Sequence, residues 1–314
     1  QFDMKYFGTD GIRGIYGETL CDDLAYLVGN FLGYSADGGK VVLGRDTRIS
    51  GEKLSSAIIS GIIDAGADVI NLDIVPTPAV SFVTREIDAN YGVMISASHN
   101  PPEYNGIKIF MSDGRKLCRI EEAEIEKHIE SKRKVVANEK GKVENGAAYF
   151  ENYVRAVTEI ADDLSGLKVV LDCANGAAYK VAPEVFRELG AEVIAMNVTP
   201  DGENINHKCG STHPEGLQKA VVEHNADLGL AYDGDADRLI AVDETGTIVD
   251  GDHIMILGAV YLKKQNKLAN DTLVVTTMSN IGLHAAAKEY GIDLAITDVG
   301  DRYVIEEMKK SGLL

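Results

Sequence analysis

A strand–helix–strand pattern that occurs three times is the feature that most constrains the fold of this chain. In each copy, a short β-rich run is followed by a stretch with the apolar spacing of a helix, a glycine and a second β-rich run. The first runs are 40–44, 168–171 and 272–275, and the second runs are 69–75, 193–198 and 294–299. Such a unit joins parallel strands by a right-handed crossover, which predicts an α/β fold of tandem related domains with mixed, largely parallel sheets. Chance similarity among α/β segments is the alternative.

Two predicted boundaries divide the chain into three domains. A segment rich in Glu and Lys at 121–142 predicts a solvated amphipathic helix and a polar loop, with a boundary near Gly146. A second boundary is predicted near 250–252. We therefore expect domains at 1–148, 149–252 and 253–314, and the third repeat ends before it reaches a third β-rich run.

The charge of the chain excludes some classes of partner. It has 49 acidic and 31 basic residues, a net charge of −18, which argues against binding to nucleic acid or to an anionic membrane. A few Lys and Arg side chains can still form a positive pocket for a small anion. Without a window of 18 apolar residues or a signal-like start, the sequence predicts a cytoplasmic protein with no membrane partner.

Polar residues follow two equivalent strands of the first and second repeats. The third β-rich run of the first repeat, 91–95, leads into 96–101, and that of the second repeat, 227–232, leads into 233–238. Ligands bind at the carboxyl ends of strands in parallel α/β sheets. The two strand ends therefore offer a serine hydroxyl and a cluster of carboxylates.

The carboxylate cluster consists of Asp233, Asp235 and Asp237. Alternate positions place the three side chains on one side of an extended segment, where they repel one another unless a hard divalent cation lies between them. Open coordination positions favour Mg²⁺ that also holds a phosphate oxygen. An EF-hand is rejected because Arg238 occupies the sixth position, where glycine is needed. A solvated acidic turn is the alternative.

The serine candidate is Ser98, which precedes His99 in a loop rich in turn residues. A serine in a loop is often a helix N-cap, so the pair alone does not indicate catalysis. No Gly-x-Ser-x-Gly elbow is present in the sequence, which argues against a serine hydrolase.

Three further segments carry basic residues that suit a phosphate group. Arg13 lies among three glycines at 8–14, which predicts either a phosphate-binding loop or a plain turn. The segment 45–48 follows a strand and contains two arginines, for which a surface ion-pair cluster is the alternative. Arg302 follows the second strand of the third repeat, where Asp301 as a helix cap is the alternative.

Together these motifs resemble the α-D-phosphohexomutases, most closely the subgroup of bacterial phosphoglucosamine mutases. The resemblance spans Met4 to the end of the chain. The matching stretches are 7–14, 44–51, 95–101, 204–206, 209–215, 233–238 and 299–304. One departure is Ala236, where the family usually has glycine. Because alanine disfavours a positive φ, we expect the loop to avoid one there.

The resemblance implies the reacting group and the metal ligands. Ser98 matches the serine that carries the catalytic phosphoryl group. Asp233, Asp235 and Asp237 match the Mg²⁺ ligands, with the phosphorylated serine supplying a further oxygen. Ser96 is implied to be a neighbour of the reacting serine.

The resemblance also implies the basic residues around the phosphate. Lys108 and Arg238 match residues beside the reacting phosphate, where Lys108 helps to move a proton. Arg13 matches a residue of an N-terminal loop near the same site. His99 and Arg302 are expected to contact the substrate.

The activity implied is the interconversion of glucosamine 6-phosphate and glucosamine 1-phosphate through a bisphosphate, in a cleft between domains. A phosphosugar is the expected partner, with a homodimer as the expected assembly. The alternatives are a phosphomannomutase or phosphoglucomutase, and a non-catalytic fragment that binds Mg²⁺. In the family, a sugar-binding loop and a C-terminal phosphate-binding domain follow the part matched here, so this chain alone is expected to be nearly inactive.

Overall fold

A computed structural model describes residues 4–313. The chain forms two compact units that divide between Thr247 and Ile248. Two sheets belong to the first unit, one for each of the first two repeats.

The first sheet is mixed and has helices on both faces. Its strands are β1 (Ile12–Ile15), β2 (Lys40–Arg45), β3 (Asp68–Ile74), β4 (Tyr91–Ile95), β5 (Tyr104–Met111) and β6 (Val143–Asn145). The helices are α1 (Asp22–Ser35), α2 (Ser50–Asp64), α3 (Thr77–Glu86), α4 (Arg119–Ser131) and α5 (Ala147–Glu159). The strand order is β1-β5-β4-β2-β3-β6; β2 pairs in parallel with β3 and β4, β3 pairs in parallel with β6, and β5 runs antiparallel to β1 and β4.

Alternation along the central strand explains the layers around this sheet. Val41 and Leu43 of β2 lie in the apolar core that includes α1, α2 and α4, whereas Val42 lies in the core on the other face. Tyr149 and Phe150 of α5 pack against that second core beside α3. Both faces of β2 are therefore dry, as expected of a central strand with an almost continuous apolar sequence.

The second sheet repeats this arrangement with fewer elements. Its strands within the first unit are β7 (Lys168–Asp172), β8 (Glu192–Met196), β9 (Leu228–Tyr232) and β10 (Leu239–Asp243), with helices α6 (Val181–Glu188) and α7 (Glu215–Glu223). These strands lie in the order β10-β9-β7-β8, and β7 pairs in parallel with β8 and β9. Val170 of β7 packs with α7, and Val169 packs with α6 on the opposite face.

The second unit contains the third strand–helix–strand copy. Its elements are β11 (Ile248–Val249), α8 (Gly251–Lys264), a short 3-10 turn (Ala269–Asp271), β12 (Thr272–Thr276), α9 (Ile281–Glu289), β13 (Asp293–Thr297) and α10 (Asp301–Lys310). β12 and β13 are parallel, and Ala259, Ala287 and Ile292 form the centre of its core. The predicted class of tandem α/β domains with mixed, mostly parallel sheets is confirmed.

Among residues 4–313, no helix combines the length and the apolar character that crossing a bilayer requires.

Helices α1 and α2 approach closely because glycines lie where they cross. A Cβ added at Gly29 of α1 would lie 2.2 Å from the carbonyl oxygen of Ile58, and one at Gly61 of α2 would lie 2.2 Å from that of Tyr26. Real Cβ atoms do not approach backbone this closely, so a side chain at either position forces the helices apart.

We expect Gly29→Ala to lower the free energy of unfolding by about 1–3 kcal/mol, because overpacking of a tight interface costs more than the gain in helix propensity. Urea denaturation followed by circular dichroism measures the change. The matched control is Gly216→Ala in α7, where the nearest described atom lies 3.9 Å from the added Cβ. Equal effects of the two substitutions would show that the crossing is not tight.

Candidate active site

The predicted nucleophile lies in the loop that joins β4 to β5. We name residues 96–104, which are this loop and the first residue of β5, the serine loop. Ser98 is almost fully buried and has a φ of +55°, a left-handed conformation that is uncommon for residues other than glycine. Its hydroxyl group donates to Oδ2 of Asp233 at 2.5 Å. The two equivalent strand ends singled out in the sequence therefore meet at these two side chains.

The three predicted metal ligands lie in a turn after β9, here named the aspartate loop (residues 233–238). One carboxylate oxygen from each of Asp233, Asp235 and Asp237 lies within 4.8 Å of the others. The loop bends, and the expectation of an extended segment is wrong. Ala236 adopts a φ of +54°, so the expectation that alanine avoids a positive φ is also wrong. The bend turns alternate side chains toward one point, at a cost of about 1–2 kcal/mol for alanine.

Lys108 enters the cluster from β5, where it pairs in register with Met94 of β4. Its side chain is buried, and its ammonium group lies 2.6 Å from Oδ2 of Asp235 and 3.2 Å from Oδ2 of Asp237. A third carboxylate, that of Asp10, lies 3.4 Å away. One ammonium group therefore offsets part of the charge of three carboxylates.

The glycine-rich segment that leads into β1 positions Asp10, and β1 itself positions Arg13 beside it. Arg13 pairs with Asp10 at 2.8 Å, and Lys116 pairs with the other oxygen of Asp10 at 2.9 Å. Gly11 has a φ of +76°, and a Cβ there would lie 2.4 Å from the carbonyl oxygen of Ile107. Glycine is therefore required for the close approach of this segment to β5.

His99 and Arg238 join the two loops at their exposed side. A nitrogen of the Arg238 guanidinium contacts Nδ1 of His99, and the backbone N–H of Arg238 donates to Oδ1 of Asp233 at 3.3 Å. Arg302 belongs to the second unit, in the first turn of α10, and pairs with Glu306 at 3.6 Å.

Burial and mutual repulsion set the protonation states of the cluster. Burial, together with the charges of Asp235 and Asp237, raises the pKa of Asp233 to about 7. Burial also acts to raise the pKa of Asp235, but the nearby Lys108 outweighs it and the pKa is lowered. Burial acts to lower the pKa of Lys108, and the carboxylates around it raise it instead. Lys108 is therefore a cation, and Asp233 takes up a proton more readily than Asp235.

The charge state of His99 follows from its cationic neighbours. Burial, with the charges of Arg238 and Arg13, lowers the pKa of His99 below its usual value. At neutral pH its ring is therefore uncharged, and Nδ1 can accept the hydrogen bond from Arg238.

Contacts between the two repeats hold the serine loop against the aspartate loop. Thr77, at the start of α3, donates its hydroxyl to Oδ2 of Asp235 at 2.5 Å and its N–H to the carbonyl oxygen of Asp235 at 2.9 Å. Asn206 donates its side-chain amide to the carbonyl oxygen of Ser98 at 2.8 Å. The sequence analysis did not single out Thr77. It gave Asn206 no role, although the family motif at residues 204–206 was a signal for it.

The segment 45–48 does not form only surface ion pairs. Asp46 and Arg48 are fully buried and joined at 2.9 Å, so the alternative of a surface cluster is wrong for them. Arg45 has a largely buried side chain that pairs with two exposed carboxylates, those of Asp73 at 2.9 Å and Glu52 at 3.5 Å.

The aspartate loop fits a hard divalent cation. Oδ1 of Asp235 is buried and accepts no hydrogen bond from any residue between 4 and 313. A buried carboxylate oxygen without a donor is costly, and a cation would satisfy it.

Comparison with known proteins decides the family. Models of the phosphoglucomutase/phosphomannomutase family, for its α/β/α domains I, II and III, match residues 4–136, 147–246 and 250–314. The chain belongs to this family. The resemblance noted in the sequence is thereby confirmed.

Relatives of this phosphohexomutase chain include curated proteins named phosphoglucosamine mutase. Those from Clostridioides difficile and Alkaliphilus oremlandii are 59% and 50% identical, and each alignment covers 98% of this chain and 71% of the relative. Such phosphohexomutases are isomerases. A solved structure of a phosphoglucomutase/phosphomannomutase family protein from Burkholderia thailandensis aligns with a TM-score of 0.86 at 28% identity, over 98% of this chain and 69% of that one.

The pKa of Asp233 predicts how the stability of this family member depends on pH in metal-free buffer. Between about pH 4 and pH 7 the folded protein holds a proton that the unfolded chain releases, so the free energy of unfolding falls as the pH rises through this range. Asp233→Asn removes this loss. The free energy of unfolding of the variant, relative to that of the parent, is expected to rise by on the order of 1–3 kcal/mol between pH 5 and pH 8.

Urea denaturation in the presence of a chelator at both pH values measures the effect. Glu244→Gln, which replaces an exposed carboxylate outside the cluster, is the control. Its free energy of unfolding relative to the parent is expected to be the same at both pH values. A constant difference between Asp233→Asn and the parent across this range would contradict the assignment.

Proposed function

We propose that this chain carries the phosphoryl-transfer site of a phosphoglucosamine mutase, an enzyme that interconverts glucosamine 6-phosphate and glucosamine 1-phosphate. That this chain alone turns over very little substrate stays a prediction. The observation that carries the proposal is the hydrogen bond from the Ser98 hydroxyl to Asp233, within a cluster that contains Lys108. The choice of glucosamine is supported by curated relatives named phosphoglucosamine mutase at 48–59% identity. The alternatives of a phosphomannomutase or phosphoglucomutase use the same chemistry on another hexose.

Ser98 is proposed to carry the phosphoryl group. In one half-reaction, the bond between phosphorus and the serine oxygen breaks as a sugar hydroxyl oxygen bonds to the same phosphorus. The proton of that hydroxyl passes to the departing serine oxygen, a transfer in which Lys108 is proposed to help. The sugar bisphosphate then reorients and returns its other phosphoryl group to Ser98. In the dephosphorylated protein, the hydroxyl proton of Ser98 points to Asp233, which leaves a lone pair of the oxygen free to attack phosphorus.

Asp233, Asp235 and Asp237 are proposed to hold Mg²⁺, with an oxygen of the phosphorylated Ser98 as a further ligand. The bound ion would neutralise charge on the transferring phosphoryl group. The support is the convergence of three carboxylate oxygens and the buried oxygen of Asp235 without a donor in the described chain. A solved N-acetylphosphoglucosamine mutase from Aspergillus fumigatus is described in complex with GlcNAc-6P and magnesium; at 17% identity and a TM-score of 0.56, it shares the fold.

The basic side chains are proposed to bind the phosphoryl oxygens. Lys108, Arg13 and Arg238 supply local positive charge in a chain whose net charge is −18. Phosphoryl transfer depends on placing and neutralising the equatorial oxygens more than on covalent assistance. As a cation, Lys108 is suited to stabilise that charge.

Two further residues are proposed as substrate contacts. His99 is uncharged and oriented by Arg238, so it can donate a hydrogen bond to a sugar or phosphate oxygen through its other ring nitrogen. Arg302 remains a predicted contact for a substrate phosphate. A homodimer also stays a prediction.

The metal proposal predicts that Asp235→Asn weakens Mg²⁺ binding by at least about tenfold, because a charged, buried ligand is replaced by a neutral one. Isothermal titration calorimetry of the chain with MgCl₂ measures the dissociation constant. Glu244→Gln removes one negative charge outside the cluster and controls for the loss of net charge. Equal affinities of the parent and Asp235→Asn would exclude the aspartate loop as the site.

The nucleophile proposal predicts that Ser98→Ala abolishes phosphorylation of the chain by glucose 1,6-bisphosphate in the presence of Mg²⁺. Intact mass and phosphosite mapping provide the measurement. Ser81→Ala, a half-buried serine of α3 that donates to the carbonyl oxygen of Gly114, is the control and should leave labelling unchanged. Phosphate mapped to Ser96 in the parent would overturn the assignment.

A further inference from the structure

We propose that Arg48 is a positioning residue for phosphoryl transfer, which holds the backbone of the serine loop so that the Ser98 oxygen points at the aspartate loop. The proposal rests on the function proposed above for Ser98. Arg48 lies between β2 and α2, and its side chain is fully buried. It acts through Ser98, and no bond joins its side chain to Asp233, Asp235 or Asp237 among the contacts of the described chain.

All five N–H groups of the Arg48 guanidinium have an acceptor. Nε donates to Oδ2 of Asp46 at 2.9 Å, and the two terminal nitrogens donate to four backbone carbonyl oxygens of the serine loop. These oxygens belong to Ser98 (3.0 Å), Asn100 (2.9 Å), Tyr104 (2.9 Å) and Pro101. A planar fork of five donors is a property of arginine, and the three donors of lysine cannot reproduce it.

The N–H of Ser98 is linked through Ser96 to Asp46, the carboxylate that pairs with Arg48. It donates to Oγ of Ser96 at 2.9 Å, and the Ser96 hydroxyl donates to Oδ2 of Asp46 at 2.6 Å. The pair of Asp46 and Arg48 therefore restrains both the N–H and the C=O of Ser98. These bonds also engage the Ser96 hydroxyl both as donor and as acceptor, which disfavours it as a competing nucleophile.

The restraint matters because Ser98 has a φ of +55°. A non-glycine residue keeps a left-handed conformation only where the surrounding structure holds it there. Its carbonyl oxygen accepts from Arg48 and from Asn206 of the second repeat, and a Cβ added at Gly234 would lie 2.5 Å from that oxygen. Relaxation of φ would turn the peptide away from these donors and move Oγ away from Asp233.

The test compares Arg48→Lys with Arg45→Lys, two substitutions that keep the charge and lie three residues apart. Arg45 pairs with exposed carboxylates, and within residues 4–313 its side chain makes no hydrogen bond to the serine loop, so it controls for the loss of a guanidinium group in this segment. Ser96→Ala is a second variant, small enough to fold if Arg48→Lys does not. Three quantities are measured: the rate of Ser98 phosphorylation by glucose 1,6-bisphosphate, the dissociation constant for Mg²⁺, and amide hydrogen exchange of residues 96–104.

For Arg48→Lys we expect phosphorylation to slow by about a hundredfold, the cost of misplacing a reacting group by about 1 Å, with the Mg²⁺ constant unchanged within about twofold. Exchange in the serine loop should become faster. Ser96→Ala should change the same three quantities in the same directions, with a smaller loss of rate. Arg45→Lys should leave all three unchanged.

Unchanged phosphorylation in Arg48→Lys and Ser96→Ala would overturn the proposal. So would a loss of rate accompanied by an equal loss of Mg²⁺ affinity, because that pattern indicates general unfolding of the site. If the parent chain is not phosphorylated at all, the proposed function fails, and hydrogen exchange still decides the role of Arg48. Equal exchange of residues 96–104 in Arg48→Lys and Arg45→Lys then contradicts it.

Discussion

The hydrogen bond between Ser98 and Asp233 depends on two strands, β4 and β9, whose carboxyl ends face each other. Each strand comes from a different repeat, so neither repeat alone forms the site. The contact requires the serine loop and the aspartate loop to lie almost without space between them. Gly234 permits this because it has no Cβ to collide with the carbonyl oxygen of Ser98, and Asn206 donates a hydrogen bond to the same oxygen. The buried residues Thr77 and Arg48 help to hold the two loops in this position: Thr77 bonds to the aspartate loop, and Arg48 bonds to the serine loop.

The charge distribution of the site is the second constraint. Burying several carboxylates in one place is unfavourable, and Lys108 offsets only part of the repulsion. The rest of the repulsion contributes to the raised pKa of Asp233. In addition, one buried oxygen of Asp235 has no hydrogen-bond donor within the described residues. The protein thus tolerates a strained cluster that a divalent cation would relieve. A loss of stability at this place is expected of a site that holds a cation, as proposed above.

The sequence predicted the parts of this arrangement that depend on local pattern. The β–α–β repeats and the class of fold follow from apolar spacing and glycine stops, and the family motifs pointed to Ser98 and the three aspartates as candidates. Tertiary contacts account for the errors. The burial of Arg48 depends on carbonyl groups 50 or more residues away, and the left-handed φ of Ala236 depends on its packing within a bent loop, so neither could be read from adjacent residues.

The central claim is that Ser98 and the aspartate loop form one site across the two repeats. Phosphorus NMR of the chain phosphorylated at Ser98, titrated with Mn²⁺ in place of Mg²⁺, tests this most directly, because a paramagnetic ion broadens the resonance of a phosphate bound to it. The account predicts severe broadening of the phosphoserine signal at substoichiometric Mn²⁺ in the parent, and little in Asp235→Asn. A phosphoserine resonance that stays sharp while the aspartate loop is occupied by Mn²⁺ would contradict the claim.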